Sequence, residues 1–300
     1  MALFENIKQF LKLSPKGKYG ISELSPDEAA DYPNGLLDIK QRKLDGVLFR
    51  GFLTPEEVSK LVSGFDALQE PEYVKTSVGG VYPIVFQQLA VQTESEPKAV
   101  SDAKFHDYFT TSEDFAHRFD SRFGVDFRGK LFGLLEKMAG SREIAIPRGY
   151  NDEGNYAFCT FRRLIPEAGQ MGYHTGNLFR NAYAKFYEHL DTKVGTYDQL
   201  SYFVLLQKPD TGGELTLYDL EWKDGQYKED NRYVVQPDGG KVDINDLKTM
   251  TMNMKPGDMI IFNGAQIWHR VEHVYGKTDR ITLGGFIGIS HDDQKVFLWS

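Results

Sequence analysis

Two histidines and an arginine stand where they could hold a metal and a carboxylate. His174 lies in Met171–Phe179 (MGYHTGNLF) and His269 in Pro256–Val271 (PGDMIIFNGAQIWHRV), 95 residues apart. A neutral imidazole is a good ligand for Fe(II), although either histidine alone is more often a structural residue. The pair gains from its context. Each follows a short β-like run, and eleven residues after His269 comes Arg280, followed by Thr282 on the same strand face. A guanidinium can hold a carboxylate through two parallel hydrogen bonds, and a threonine hydroxyl can add a third. Iron sites built from two histidines and one carboxylate place the acid two residues after the first histidine. Here that position is Gly176. His106, His117, His189, His273 and His291 have no comparable surroundings.

The elements that must position these residues change character along the chain. MALFENIKQFLKL at the N-terminus has helical apolar spacing but is broken by charges, which predicts an amphipathic helix rather than a signal peptide or membrane span. Residues 14–45 read as loops with a short helix near Pro26–Ala30, and Gly46–Arg50 as a strand. Thr54-Pro55-Glu56-Glu57 is a capping box with proline at the first helical position. It opens a helix to about Leu68 with Val58, Leu61, Val62 and Phe65 on one face. Gly79–Val91 is apolar and aromatic, either pocket lining or plain core. Ser112–Phe123 and Arg128–Ala139 have helical periodicity.

From Ile144 the pattern turns to short β-like runs: 156–165, 172–174, 200–207, 214–218, 249–254, 259–262, 267–274 and 281–289. Eight such runs with turn signals between them suit a jelly roll. Asn181–Leu190 interrupts them as a helix, and Gly225–Lys241 reads as an exposed excursion. The expectation is an α+β chain with a mainly β core. It forms one domain over 1–300, with a helical and mixed part (1–145) packed on a double-stranded β-helix (146–290).

Composition sets bounds. A net charge of −8 with no basic stripe argues against nucleic acid as a partner, and no stretch argues for a membrane. The single cysteine, Cys159, excludes an intramolecular disulfide or a cysteine-based zinc site and fits a reducing cytoplasm.

The order of His174, His269 and Arg280 along these runs is the layout of jelly-roll oxygenases that bind Fe(II) and 2-oxoglutarate and consume O2. Charge counting gives Gly176 a meaning in that setting. Iron at +2 meets −2 from 2-oxoglutarate and −1 from the carboxylate ligand; glycine removes the last and opens a space beside the metal. Chloride or bromide restores the balance and fits the space. After hydrogen abstraction from an unactivated carbon, halide rather than hydroxyl can then combine with the carbon radical.

Several stretches resemble the iron/2-oxoglutarate aliphatic halogenases of the hapalindole- and welwitindolinone-type alkaloid pathways. They are HTGN at His174, DQLSYF at Asp198–Phe203, GGELTLYDLEW at Gly212–Trp222, PGDMIIFNG and IWHRV within Pro256–Val271, and RITLGGF at Arg280–Phe286. The resemblance implies Fe(II) on His174 and His269, halide at Gly176, and 2-oxoglutarate on Arg280 with help from Thr282. It implies that Ser201, behind the metal ligands, helps orient the oxo group and favours halide over hydroxyl transfer, and that Phe179, Val81, Tyr82 and Ile84 line the substrate pocket. It also implies a free-standing small-molecule substrate with no carrier protein. The substrate itself does not carry over, because Tyr82 is bulkier than its counterpart and Leu178–Gln199 differs in length and content. Two other readings stand beside this one: a hydroxylase or desaturase of the same fold, and a jelly-roll binding protein without turnover.

Overall fold

The computed structural model describes residues 20–69, 72–83, 102–182, 184–224, 226–227, 233–235 and 238–300. The helix expected at the extreme N-terminus and the pocket position Ile84 lie outside the described residues.

Two sheets face each other as the layers of a jelly roll. The larger runs in the order β1 (Ile21–Leu24), β2 (Gly46–Phe49), β15 (Met259–Phe262), β8 (Leu200–Gln207), β18 (Arg280–Ile289), β6 (Thr160–Leu164), β4 (Gly79–Tyr82), β3 (Val74–Thr76). At the far end of β18 it adds β19 (Lys295–Trp299), which also pairs with β5 (Glu143–Ala145). The smaller sheet runs β14 (Thr249–Met252), β10 (Leu215–Glu221), β16 (Ile267–Val271), β7 (Met171–His174). Two ribbons stand apart: β9 (Thr211–Gly212) with β17 (Val274–Tyr275), and β11 (Gln226–Tyr227) and β12 (Tyr233–Val235) within the expected excursion with β13 (Lys241–Asp243) at and beyond its end.

Period-two alternation decides what each strand shows to each side. On β8, Tyr202, Val204 and Leu206 join the core beneath the helices, while Phe203 and Leu205 pack towards the smaller sheet. On β15, Met259 and Ile261 point to the helices and Ile260 and Phe262 inward. β18 follows the same rule, with Ile281 and Leu283 outward and Arg280, Thr282 and Gly284 lining a cavity between the sheets. Polar residues in the inward register of an apolar strand are the mark of a site rather than a core.

The outer face of the larger sheet is covered by α2 (Pro55–Asp66), α3 (Asp102–Phe123) and α4 (Phe127–Met138), with α1 (Gly35–Lys40) against α4. The capping box forms as its residues predict: Glu57 N–H donates to Thr54 Oγ1 (3.3 Å) and Thr54 N–H to a Glu57 carboxylate oxygen (2.9 Å). Val58, Leu61 and Phe65 are buried on its apolar face. α3 starts ten residues before the expected Ser112, because Phe105, Tyr108 and Phe109 continue its apolar stripe into a second aromatic cluster with Tyr156 and Phe186.

The helix expected at Asn181–Leu190 is two, α5 (Gly176–Ala182) and α6 (Ala184–Asp191). α5 begins earlier because Thr175 acts as its cap, its Oγ1 accepting from Leu178 N–H at 3.3 Å. The run expected at 267–274 divides into β16 and β17. The terminal strand β19 has no counterpart among the runs expected from sequence; its partly exposed face carries the apolar Phe297, so its composition lacks a clear polar alternation.

Candidate active site

The cavity between the sheets brings the polar candidates together: His174, Gly176, Phe179, Ser201, His269, Arg280 and Thr282 all line it. His174 closes β7 and His269 sits mid-way along β16, and the two are direct cross-strand partners. Beyond them the register slips, for Val271 pairs with Met171. The extra residue on β7 is a bulge, and it lets both Met171 and His174 face the cavity.

Both imidazoles are fixed in the same way. His174 Nδ1 lies 2.6 Å from the Gly172 carbonyl and His269 Nδ1 lies 2.7 Å from the Ile267 carbonyl. A carbonyl only accepts, so each Nδ1 carries the proton and each Nε2 keeps its lone pair. Phe179 packs edge-on to His174 (5.1 Å between centroids) and Phe262 to His269 (5.0 Å). Burial holds both rings neutral: it pulls His174 well below the usual range, with the nearby His269 adding to the effect, and His269 down to about 4. Two neutral imidazoles with free Nε2 atoms and carbonyl-tied Nδ1 atoms are a preformed metal grip. Among the described residues no cluster of three His, Cys, Asp or Glu side chains could hold a metal, so these two histidines are not joined by a protein carboxylate.

A short turn locks the third corner. Asn263 is fully buried, its backbone N–H bonded to the Asp45 carbonyl (3.0 Å) and its side-chain Nδ2 to the Ile39 carbonyl (3.2 Å). That stakes the 263–266 turn against the N-terminal segment. The Gly264 carbonyl then accepts from Gly176 N–H at 2.8 Å, and Ala265 N–H donates to the Gln199 carbonyl at 3.3 Å. The Ser201 side chain packs directly on Gly264, where a Cβ would collide with its Oγ.

Arg280 is 3% exposed and lies over the Phe203 ring, its guanidinium carbon 5.3 Å from the centroid. Its Nε has no hydrogen-bond partner, and no described carboxylate forms an ion pair with it. Burial and the neighbouring Arg162 push its guanidinium down to about 9, with Glu214 acting weakly in the opposite direction.

Arg162 is the residue that the motifs did not reveal. It lies on β6 opposite Thr282 on β18, lines the same cavity, and donates to Met171 Sδ (2.7 Å). Its charge lowers the pKa of both Arg280 and His174, so it neighbours both ends of the site. One cue was available: Phe161-Arg162-Arg163-Leu164 puts a charge on each face of a strand otherwise buried in the sheet. Arg163 finds Asp66 and Asp279 outside, and Arg162 is left inside.

The substrate positions fare differently. Phe179 lines the cavity. Tyr82 corrects the reading that put it in the pocket wall, because it pairs with Phe161 on the face turned to the helices. There it packs with Phe115 and Phe123 and bonds Arg122 through its hydroxyl (2.8 Å). Val81 pairs with Arg162 and so shares the cavity's face, but is not among the lining residues.

Among solved structures the chain is similar to an N-substituted L-amino acid dioxygenase from Burkholderia ambifaria. The TM-score is 0.56 at 15% identity, over 90% of this chain and 91% of that one. The same enzyme in complex with α-ketoglutarate gives a TM-score of 0.52 at 14% identity, over 88% and 90%. At such identities the likeness is one of fold. No curated protein matches the chain. Among the described residues no helix is long and apolar enough to cross a membrane. The family model described as "Carrier-protein-independent halogenase WelO5" matches residues 19–300, and the chain belongs to that family of halogenases.

Proposed function

We propose that the protein is an iron- and 2-oxoglutarate-dependent halogenase that places chloride or bromide on an unactivated sp3 carbon of a free-standing small molecule. The observation that carries this reading is Gly176, two residues past a histidine whose ring is preset for metal and beside a cavity with no acidic lining residue. Each feature of the site is short of an anion. His174 and His269 are neutral, while Arg162 and Arg280 bring two positive charges and a metal would bring two more. Cations held away from water without ion-pair partners are costly, so the cavity is suited to completion by anionic ligands.

The residues divide the work. His174 and His269 would hold Fe(II) through Nε2. Arg280, with the Thr282 hydroxyl on the same strand face, would take the distal carboxylate of 2-oxoglutarate. Arg162, which neighbours both the metal end and Arg280, would take a second carboxylate oxygen, so that the dianion meets two guanidiniums. The notch at Gly176 would hold the halide that stands in for a carboxylate ligand. When bound, the iron supplies the activation of dioxygen at the expense of 2-oxoglutarate. Ser201 borders the notch and biases transfer towards halide. Phe179 and Phe286 keep the wall apolar, which limits water near the reacting carbon and suits a substrate with apolar surface.

The direct test needs no substrate. Fe(II) and 2-oxoglutarate are loaded anaerobically, and chloride is titrated while the visible metal-to-ligand charge-transfer band is followed. A saturable shift is expected. A normal band indifferent to chloride and bromide would replace this reading with a hydroxylase or desaturase, and no band at all would favour a binding protein.

A further inference from the structure

The wall of the Gly176 notch contains a side chain that the metal and cosubstrate do not explain. Gln199 ends the short helical turn Thr196–Asp198 and directly precedes β8, the strand that carries Ser201. Its backbone is satisfied on both sides: its N–H donates to the Thr196 carbonyl at 3.3 Å, and its carbonyl accepts from Ala265 N–H at 3.3 Å. Its side chain is fully buried, yet neither Nε2 nor Oε1 has a hydrogen-bond partner of ordinary geometry. The Tyr187 hydroxyl lies close enough to interact with the amide.

The direction of that amide is the informative part. A Cβ built on Gly176 would meet Gln199 Nε2 at 2.7 Å, ahead of the Ala265 backbone at 3.2 Å. The carboxamide of Gln199 is therefore the group nearest the space that the missing side chain would enter, and an anion there selects its N–H end. A carboxylate ligand and an N–H donor cannot both occupy this spot without one moving. A metal-bound halide is not tethered to residue 176, so it can stand off at hydrogen-bonding distance and accept the N–H. Hydrogen bonds to an ionised acceptor are about twice as strong as neutral ones, so an anion in the notch would compete well with the Tyr187 hydroxyl for this amide.

We propose that Gln199 is a halide-binding residue: its Nε2–H group donates to the anion lodged at Gly176. The same side chain also screens the notch against a carboxylate, through the space it fills. This inference rests on the halogenase reading above, and the test separates the two. Chloride is titrated against the anaerobic Fe(II)/2-oxoglutarate complex of the wild type, Gln199→Leu and Gln199→Glu. Formation of the charge-transfer band reports cosubstrate binding, and its shift reports halide.

The expected result is a chloride affinity roughly tenfold or more weaker in Gln199→Leu. The shift should be abolished in Gln199→Glu, where a carboxylate faces the anion, and the affinity for 2-oxoglutarate should be unchanged in both. A wild type that shifts with chloride, and variants that shift at the same concentrations, would overturn the role of Gln199 and leave the halogenase reading intact. A wild type indifferent to halide would remove both. Should the variants fail to fold, wild-type crystals soaked in bromide decide the matter by anomalous scattering. Bromide within hydrogen-bonding distance of Gln199 Nε2 supports the assignment, and bromide bound to the metal but away from the amide refutes it.

Discussion

His174 and His269 face each other across β7 and β16 as direct register partners, with ring centroids 4.2 Å apart and planes inclined by 57°. Each ring is tied through Nδ1 to a carbonyl two residues upstream in its own strand. The backbone that forms the sheet thus also sets the tautomer, and the metal grip is rigid before any metal arrives. That differs from a site on loops, where ligands must be ordered on binding.

His269→Ala should therefore cost more Fe(II) affinity than the roughly 10–100-fold lost when only a ligand's hydrogen-bond partner is removed. Anaerobic binding of Fe(II), measured by equilibrium dialysis, checks it. Binding close to that of the wild type would show that the metal sits elsewhere.

Arg162→Met separates a binding role from a structural one by sign. Arg162 is a partly buried cation without an ion-pair partner among the described residues, so it destabilises the protein when the cavity holds no anion, and apolar replacements of buried charged groups are often stabilising. The variant should unfold at higher temperature than the wild type without cosubstrate. Its 2-oxoglutarate affinity should fall by on the order of tenfold or more. A lower melting temperature with unchanged cosubstrate affinity would mark Arg162 as a structural residue held by Met171 alone.

How much of this could be read from the residues follows from where the information is local. Most of the strand runs, the capping box at Thr54 and the shared strand face of Arg280 and Thr282 are short-range patterns, and the structure has them, although the run at 267–274 divides and β19 lies outside the expected runs. So does the spacing that joins His174, His269 and Gly176 in one cavity. Arg162 escaped because nothing in its own strand says which of two adjacent arginines finds an acid; Asp66 and Asp279, far away in sequence, settle that for Arg163. Tyr82 was misread for a related reason. A strand of four buried residues gives no alternation, so its pairing with Phe161 rather than its composition decides its face. The bulge on β7 and the role of Gln199 both depend on cross-strand register, which no local pattern encodes.

Ser201→Ala tests the wall of the notch. The side chain rests on Gly264, whose carbonyl holds Gly176 N–H, so removing the hydroxyl changes the polarity beside the notch without removing a ligand. Mass spectrometry of products from a turned-over substrate should show a higher ratio of hydroxylated to halogenated material. An unchanged ratio would dismiss the serine from the partition.

Thr54→Ala acts far from the cavity and sets the scale for a purely structural change. It removes the acceptor of Glu57 N–H at the start of α2, while Glu57 keeps an ion pair with Lys130. The expected loss is about 1 kcal/mol in denaturant unfolding, with halide and cosubstrate affinities unaltered. A change in either affinity would mean that α2 communicates with the site through the larger sheet.

Gly176→Asp and Gly176→Ala together ask whether the notch excludes charge or volume. Alanine adds only a Cβ, which meets the free end of the Gln199 side chain, and a terminal amide can swing aside at modest cost. Chloride should still shift the charge-transfer band of Gly176→Ala, with some loss of affinity. Aspartate adds the negative charge as well and must carry it past the same amide and the Ala265 backbone. Its chloride response should vanish, and any product should be hydroxylated rather than halogenated. The carboxylate does not reach the metal for free, so overall turnover should fall even where hydroxylation appears. If both variants lose halide binding equally, volume alone closes the notch and the charge argument for Gly176 fails. If aspartate leaves the chloride response intact, the halide does not bind at residue 176 at all.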